Sequence, residues 1–241
     1  MIYGNPILMA AAVVPAIILL VQIYRADKLE KEPVSMVIGL VFWGAVSTIP
    51  AVVCERLGIF LLSLVFPPEG FVFRLLLNFL VIGGAEEGFK YLMLRRRTWN
   101  SREFNCQFDG VVYAAAISLG FALWENIGYV FSYGLATALL RAVTAVPGHC
   151  CFGIFMGAFY GLARRYENFG ETGKSRTCRR LAVMIPMLLH GAYDFIATLE
   201  QELFALIFLV FVAAMFFTAS RMVRRLSQSD RFIRARQEYY S

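Results

Sequence analysis

The sequence predicts an all-α, polytopic membrane helix bundle with about seven transmembrane helices. Three observations predict it. Of 241 residues, 59% are apolar and only 17% are charged, against roughly 45–50% and about 25% in a soluble domain. The apolar residues gather in blocks near the roughly 20 residues that one bilayer-crossing helix needs. The basic residues fall between those blocks, and they favour alternate loops.

The expected spans are 5–24, 34–55, 71–94, 110–132, 138–163, 181–199 and 203–220. The first apolar block has no Lys or Arg before it and no small-residue cleavage pattern, so it reads as an uncleaved helix and not as a signal peptide. After the second span, residues 57–70 are apolar and end in Pro67-Pro68-Glu69-Gly70; they fit either an extension of that helix or a segment lying along the membrane. The third span carries Gly83, Gly84, Ala85 and Gly88, small residues that let a neighbouring helix approach. The fourth begins at Asp109, expected as an N-terminal cap. In the fifth, Pro147-Gly148 should kink or unwind the helix just before His149, and Gly153, Gly157 and Gly161 form a packing stripe. A polar turn, Glu200-Gln201-Glu202, joins the last two spans.

The loop after span 1 holds Arg25, Lys28 and Lys31, and the loop after span 3 holds Arg95, Arg96, Arg97 and Arg102. The loop after span 5 holds Arg164, Arg165, Lys174, Arg176, Arg179 and Arg180. The segment after span 7 holds Arg221, Arg224, Arg225, Arg231, Arg234 and Arg236. These are 19 of the 23 basic residues, all on one side of a seven-helix arrangement. The positive-inside rule makes that side cytoplasmic, with the N-terminus outside and the C-terminus inside. The net charge of +6 therefore reports topology and contact with anionic lipid of the bilayer, not nucleic acid. Residues 1–220 read as a single transmembrane domain and 221–241 as a basic cytoplasmic tail. The five cysteines show no CxxC or zinc-ribbon spacing and read as small apolar filler.

Ionisable groups inside apolar helices are costly and point to function. In span 3, Glu86 and Lys90 share a helix face at spacing four, and Glu87 reaches Lys90 at spacing three. In span 4, Glu125 has no cation within a turn of its own helix, so any partner must come from another helix. Both histidines of the chain, His149 and His190, sit at membrane depth. His190 and Asp194 stand at i and i+4, which fits paired ligands or an Asp that orients the imidazole. At about 1.5 Å per residue, Glu86 and His190 lie roughly 13–14 Å from the cytoplasmic helix ends, and Glu125, His149 and Asp194 roughly 20–22 Å. All can meet in one wet cavity. Arg141, nearer the outside, could pair with a carboxylate or with substrate.

Such a cluster supports hydrolysis of an amide in two ways. A glutamate can act as general base on water, with His or Lys stabilising the oxyanion. Alternatively His149, His190 and one or two carboxylates, with Glu125 and Asp194 as the candidates, hold Zn²⁺ while a remaining glutamate shuttles the proton. HExxH is absent, and no serine stands in a nucleophile-elbow context. A proton- or ion-coupled transporter would also use buried carboxylates, but the sequence shows no internal repeat. A non-catalytic membrane regulator would tolerate apolar replacements throughout the cluster.

Four motifs in order carry a resemblance: Glu86-Glu87-x-x-Lys90, Phe121-x-x-x-Glu125-Asn126, Pro147-Gly148-His149 and His190-x-x-x-Asp194. With the stretch Asp27-Lys28-Leu29-Glu30-Lys31-Glu32-Pro33, they resemble the PrsW family of intramembrane proteases, related to the CAAX-processing membrane proteases. In those relatives the second motif ends in His and the last in Asn; Glu125 and Asp194 make this site more acidic. The resemblance implies a peptidase of the bacterial cytoplasmic membrane that cleaves a single-span membrane protein, such as an anti-sigma factor at its first site in stress signalling. It implies Glu86 as leading base and Glu87 as second. Glu125, His149, His190 and Asp194 would shape the water or metal site, and Lys90 would balance charge.

Overall fold

A computed structural model describes residues 6–199 and 201–233. Helices α1 (Pro6–Ala26) and α2 (Val34–Ser63) come first, followed by a composite helix. That helix consists of α3 (Phe71–Leu76), a π-helical turn (Leu77–Ile82) and α4 (Gly83–Thr98). Then come α5 (Asp109–Tyr133), α6 (Leu135–Val143), α7 (Ala145–Asn168), α8 (Thr172–Ala197) and α9 (Glu202–Gln228). Among the described residues, six segments are long and apolar enough to cross a membrane, with α6 and α7 together forming one of them. The remaining predicted span is the composite helix, whose apolar run is interrupted by Glu86, Glu87 and Lys90. The chain is a multi-pass helical membrane protein.

α5 is the axis of the bundle: all its residues from Asp109 to Ala122 are buried. Glycines let its two main neighbours reach its backbone. A methyl group on Gly44 of α2 would fall 2.0 Å from the Ile117 carbonyl oxygen, and one on Gly120 would fall 2.0 Å from that of Val41. On the other side, methyls on Gly157 and Gly161 of α7 would fall 2.4 Å from Gly110 O and 2.1 Å from Gln107 O. The expected glycine stripe of α7 is thus the α5 contact. The outer faces of α2 and α9 present Phe42, Val53, Phe60, Leu203, Leu209 and Phe217, each more than half exposed, as lipid-facing surfaces do.

Of the two readings of the apolar stretch after residue 55, the structure takes the first: it extends α2 to Ser63. Other expectations change. The break in the fifth span falls at Thr144 (φ −121°, ψ −73°), three residues before Pro147. Pro147 then sits in the first turn of α7, where its missing N–H costs nothing. Of the small residues in α4, Gly83 approaches Met187 of α8, whereas a side chain at Gly88 would meet nothing. Lys90 is fully buried. Glu200 and residues 234–241 lie outside the described residues.

Asp109 does not cap α5. Its Oδ2 instead accepts the backbone N–H groups of Asn105 (2.9 Å) and Cys106 (2.6 Å). The last predicted span also continues beyond 220 as one helix to Gln228. After it, the chain folds back on the loop before α5: Phe108 N–H donates to Asp230 Oδ1 (2.9 Å), and Ile233 N–H to Asn105 O (2.7 Å). Asp27 and Glu32, in the α1–α2 loop, are buried beside this junction. Burial raises their carboxyls to about 6 and about 7, respectively.

Candidate active site

The π-turn sets the direction of the first motif. Gly83 N–H donates to Asn78 O, five residues back, which widens the helix immediately before Glu86. Such turns recur at functional sites because they rotate the following face relative to the preceding one. The Gly83 approach to α8 fixes the rotated face against His190's helix. A methyl on Gly191 would lie 2.7 Å from Phe79 Cα, within the π-turn itself.

The buried Lys90 ammonium is the hub. It donates to Glu87 Oε1 (2.7 Å) and Glu86 Oε2 (3.2 Å), lies 3.0 Å from His149 Nδ1, and stacks 4.1 Å above the Phe121 ring centroid. His190 Nδ1 lies 3.0 Å from Glu87 Oε1 and 3.8 Å from Glu86 Oε2. The two imidazoles meet edge to face with centroids 5.2 Å apart, and Phe152 stacks on His190 at 4.8 Å. The far nitrogens have carboxylate partners: His149 Nε2 is 3.0 Å from Glu125 Oε2, and His190 Nε2 is 3.3 Å from Asp194 Oδ2. Arg141 completes the outer rim. Its Nη2 donates to Glu125 Oε2 (2.7 Å) and its Nε to Asn126 Oδ1 (3.0 Å), so Glu125 does draw its cation from another helix.

A cleft of about 330 Å³ opens on this network. Glu86, Glu125, Arg141, His149, His190 and Asp194 line it, with Glu55, Asn78, Tyr129 and Tyr193. Glu87 lies behind the wall, fully buried. Glu55, Tyr129 and Tyr193 were not among the expected site residues. Glu55 is the last residue of the expected second span, and in the longer α2 it lines the cleft.

Four donors converge tightly enough for a metal ion: one atom from each of Glu86, Glu87, His149 and His190, all within 4.8 Å of one another. Glu87 Oε2 is buried with no hydrogen-bond partner, as an unused ligand atom would be. The residues therefore fit a divalent cation, although Lys90 stands among the same donors and must yield contacts to it. The set differs from the expected His149, His190, Glu125 and Asp194. His190 Nδ1 faces the α4 glutamates and His149 Nδ1 faces Lys90 of the same helix, which leaves Glu125 and Asp194 on the opposite ring edges. There they match the carboxylates that orient metal-binding histidines from behind.

Comparison with known proteins identifies the family. Residues 32–220 match the family described as PrsW family intramembrane metalloprotease. The chain is 33% identical to protease PrsW of Oceanobacillus iheyensis, over 92% of this chain and 97% of that protein. It is 31% identical to protease PrsW of Halalkalibacterium halodurans, over 93% and 99%. It is 34% identical to protease PrsW of Bacillus subtilis, over 79% and 83%. No solved structure matches the chain. The family match over residues 32–220, together with relatives of 31–34% identity over most of the chain, makes this chain a peptidase of the PrsW family of intramembrane metalloproteases.

Proposed function

We propose that the chain cleaves a single-span membrane protein by water activated at Glu86, with His149, His190 and Glu87 as ligands of a Zn²⁺ ion. The observation that carries the choice of base is the division of labour between adjacent glutamates. Glu86 lines the cleft, whereas Glu87 is sealed behind it with one free oxygen. Two histidines and one carboxylate, with a position left for water, are a common ligand set for catalytic zinc. When bound, the ion would supply Lewis acidity to the water and the scissile carbonyl.

The residues of the chain do the rest. Glu86 takes a proton from the water as its oxygen bonds to the carbonyl carbon, and returns that proton to the amine nitrogen as the C–N bond breaks. Glu125 and Asp194 hold the rings of His149 and His190. Arg141, beside Tyr129 at the mouth, steadies Glu125 and meets the entering chain. Lys90 balances the buried carboxylates. The loops rich in basic residues face the cytoplasm, and the N-terminus lies outside.

The substrate class is an anti-sigma factor cut at its first site in a stress response, a reading supported by the family's motifs in this chain. The test is purified protein in liposomes, given a single-span anti-sigma factor and a version of it without its membrane span. Cleavage of the anchored form alone supports the reading. Equal cleavage of both forms, or cleavage of neither, overturns it.

A further inference from the structure

A second cluster of carboxylates lies away from the cleft, where the α1–α2 loop meets the start of α5. Oxygens of Asp27, Glu32 and Asp109 lie within 4.8 Å of one another, and all three residues are buried. Among the described residues, no Lys, Arg or His nitrogen forms an ion pair with any of them. Lys31, the nearest cation in sequence, points its ammonium at the carbonyls of Tyr24, Arg25 and Asp27 at the end of α1.

A group of acids can be reconciled by hydrogen bonds, and this one is only partly so. Glu32 accepts the Tyr113 hydroxyl (2.5 Å), and Asp109 Oδ2 accepts two backbone N–H groups. Asp27 is 0% exposed, and its oxygens make no close hydrogen bond beyond the Glu32 backbone N–H that faces the carboxylate; Asp109 Oδ1 has no N–H or hydroxyl donor, although the Asp109 and Glu32 carboxyls lie within hydrogen-bonding reach of each other. Asp230 Oδ2, on the returning C-terminal segment, is also buried and unpartnered. Buried carboxylate oxygens without donors are expensive, and a bound ion is one partner that satisfies them.

We infer that Asp27, Glu32 and Asp109 form a structural site for a hard divalent cation, Ca²⁺ or Mg²⁺. The donors are all oxygen, with no imidazole or thiolate, which selects hard cations over zinc. The site joins the α1–α2 loop to the head of α5, beside the segment that Asp230 pins to Phe108. A bound ion therefore clamps this end of the bundle. The inference is independent of the reading of the active site.

The test uses the full chain, purified in detergent and stripped with chelator, then titrated separately with Ca²⁺, Mg²⁺ and Mn²⁺ while thermal unfolding is followed. His149→Ala serves as a background in which the cleft has lost one of its four donors and competes less for metal. Asp27→Asn is the decisive variant, because it keeps the shape of the side chain and one acceptor oxygen for the Glu32 N–H while removing the charge. One of the cations should raise Tm saturably, by about 5 °C at a hundredfold excess over Kd, in wild type and in His149→Ala, but not in Asp27→Asn. Which titration succeeds distinguishes calcium from the smaller ions. Tb³⁺ luminescence excited through the tyrosines, Tyr113 being adjacent, should appear in wild type and disappear in Asp27→Asn. No Tm response to any of the three cations, or an equal response in Asp27→Asn, overturns the inference and leaves carboxyls that share protons.

Discussion

The Glu125 carboxylate lies 3.0 Å from His149 Nε2 while the other ring nitrogen of His149 faces Lys90 at 3.0 Å. One imidazole is thus clamped between an anion on α5 and a cation on α4, and its plane is fixed before any substrate enters. Neutralising the anion should release the ring. Glu125→Gln is expected to fold normally, because Arg141 keeps Asn126 as a partner, and to lose about 10- to 100-fold in cleavage rate or metal affinity. Steady-state cleavage in liposomes, alongside circular dichroism, checks this; an unchanged rate would show that the clamp is idle.

Lys90 makes a second prediction. Its ammonium occupies the centre of the donor group, and a unit charge about 4 Å from a second one is worth about 4 kcal/mol at an effective dielectric of about 20. Lys90→Met removes that repulsion toward an entering cation. Zinc affinity, measured by competition with a chelating dye, should rise at least about tenfold. No rise would mean that the ion sits elsewhere or that Lys90 moves away without cost.

The α5–α7 contact predicts a contrast between two substitutions of the same kind. A methyl on Gly157 would lie 2.4 Å from the Gly110 carbonyl oxygen, and the obstacle is backbone. Gly157→Ala should therefore destabilise by about 1–3 kcal/mol. Gly128→Ala, on the exposed side of α5 with nothing within 4 Å, should be neutral or stabilising by up to about 1 kcal/mol. Thermal unfolding of the two proteins in detergent measures both.

The parts of this site that were legible in the sequence are those set by local geometry. Glu86, Glu87 and Lys90 had to share a helix face, and so did His190 and Asp194, because spacings of three and four allow nothing else. Membrane depth brought His149 and Glu125 to the same level. Other features depended on tertiary structure. Glu55 reached the cleft only because α2 runs on to Ser63. The π-turn at Leu77–Ile82 has no composition of its own and follows from the fit of Gly83 and Phe79 against α8. The sides of the imidazoles that face α4 were decided by packing, which is why Glu125 and Asp194 stand behind the rings and the α4 glutamates in front. The cluster of Asp27, Glu32 and Asp109 joins residues about eighty positions apart and had no local signature.

Replacement of Glu86 by glutamine tests the proposed chemistry most directly, since it keeps the shape of the cleft wall and removes the base. Wild type and Glu86→Gln should be compared in liposomes on the same single-span substrate, with bound zinc counted in both. Glu86→Gln should retain zinc on His149, His190 and Glu87 while cleavage falls by at least about 100-fold. Cleavage by Glu86→Gln at the wild-type rate, with zinc retained, would contradict Glu86 as the base.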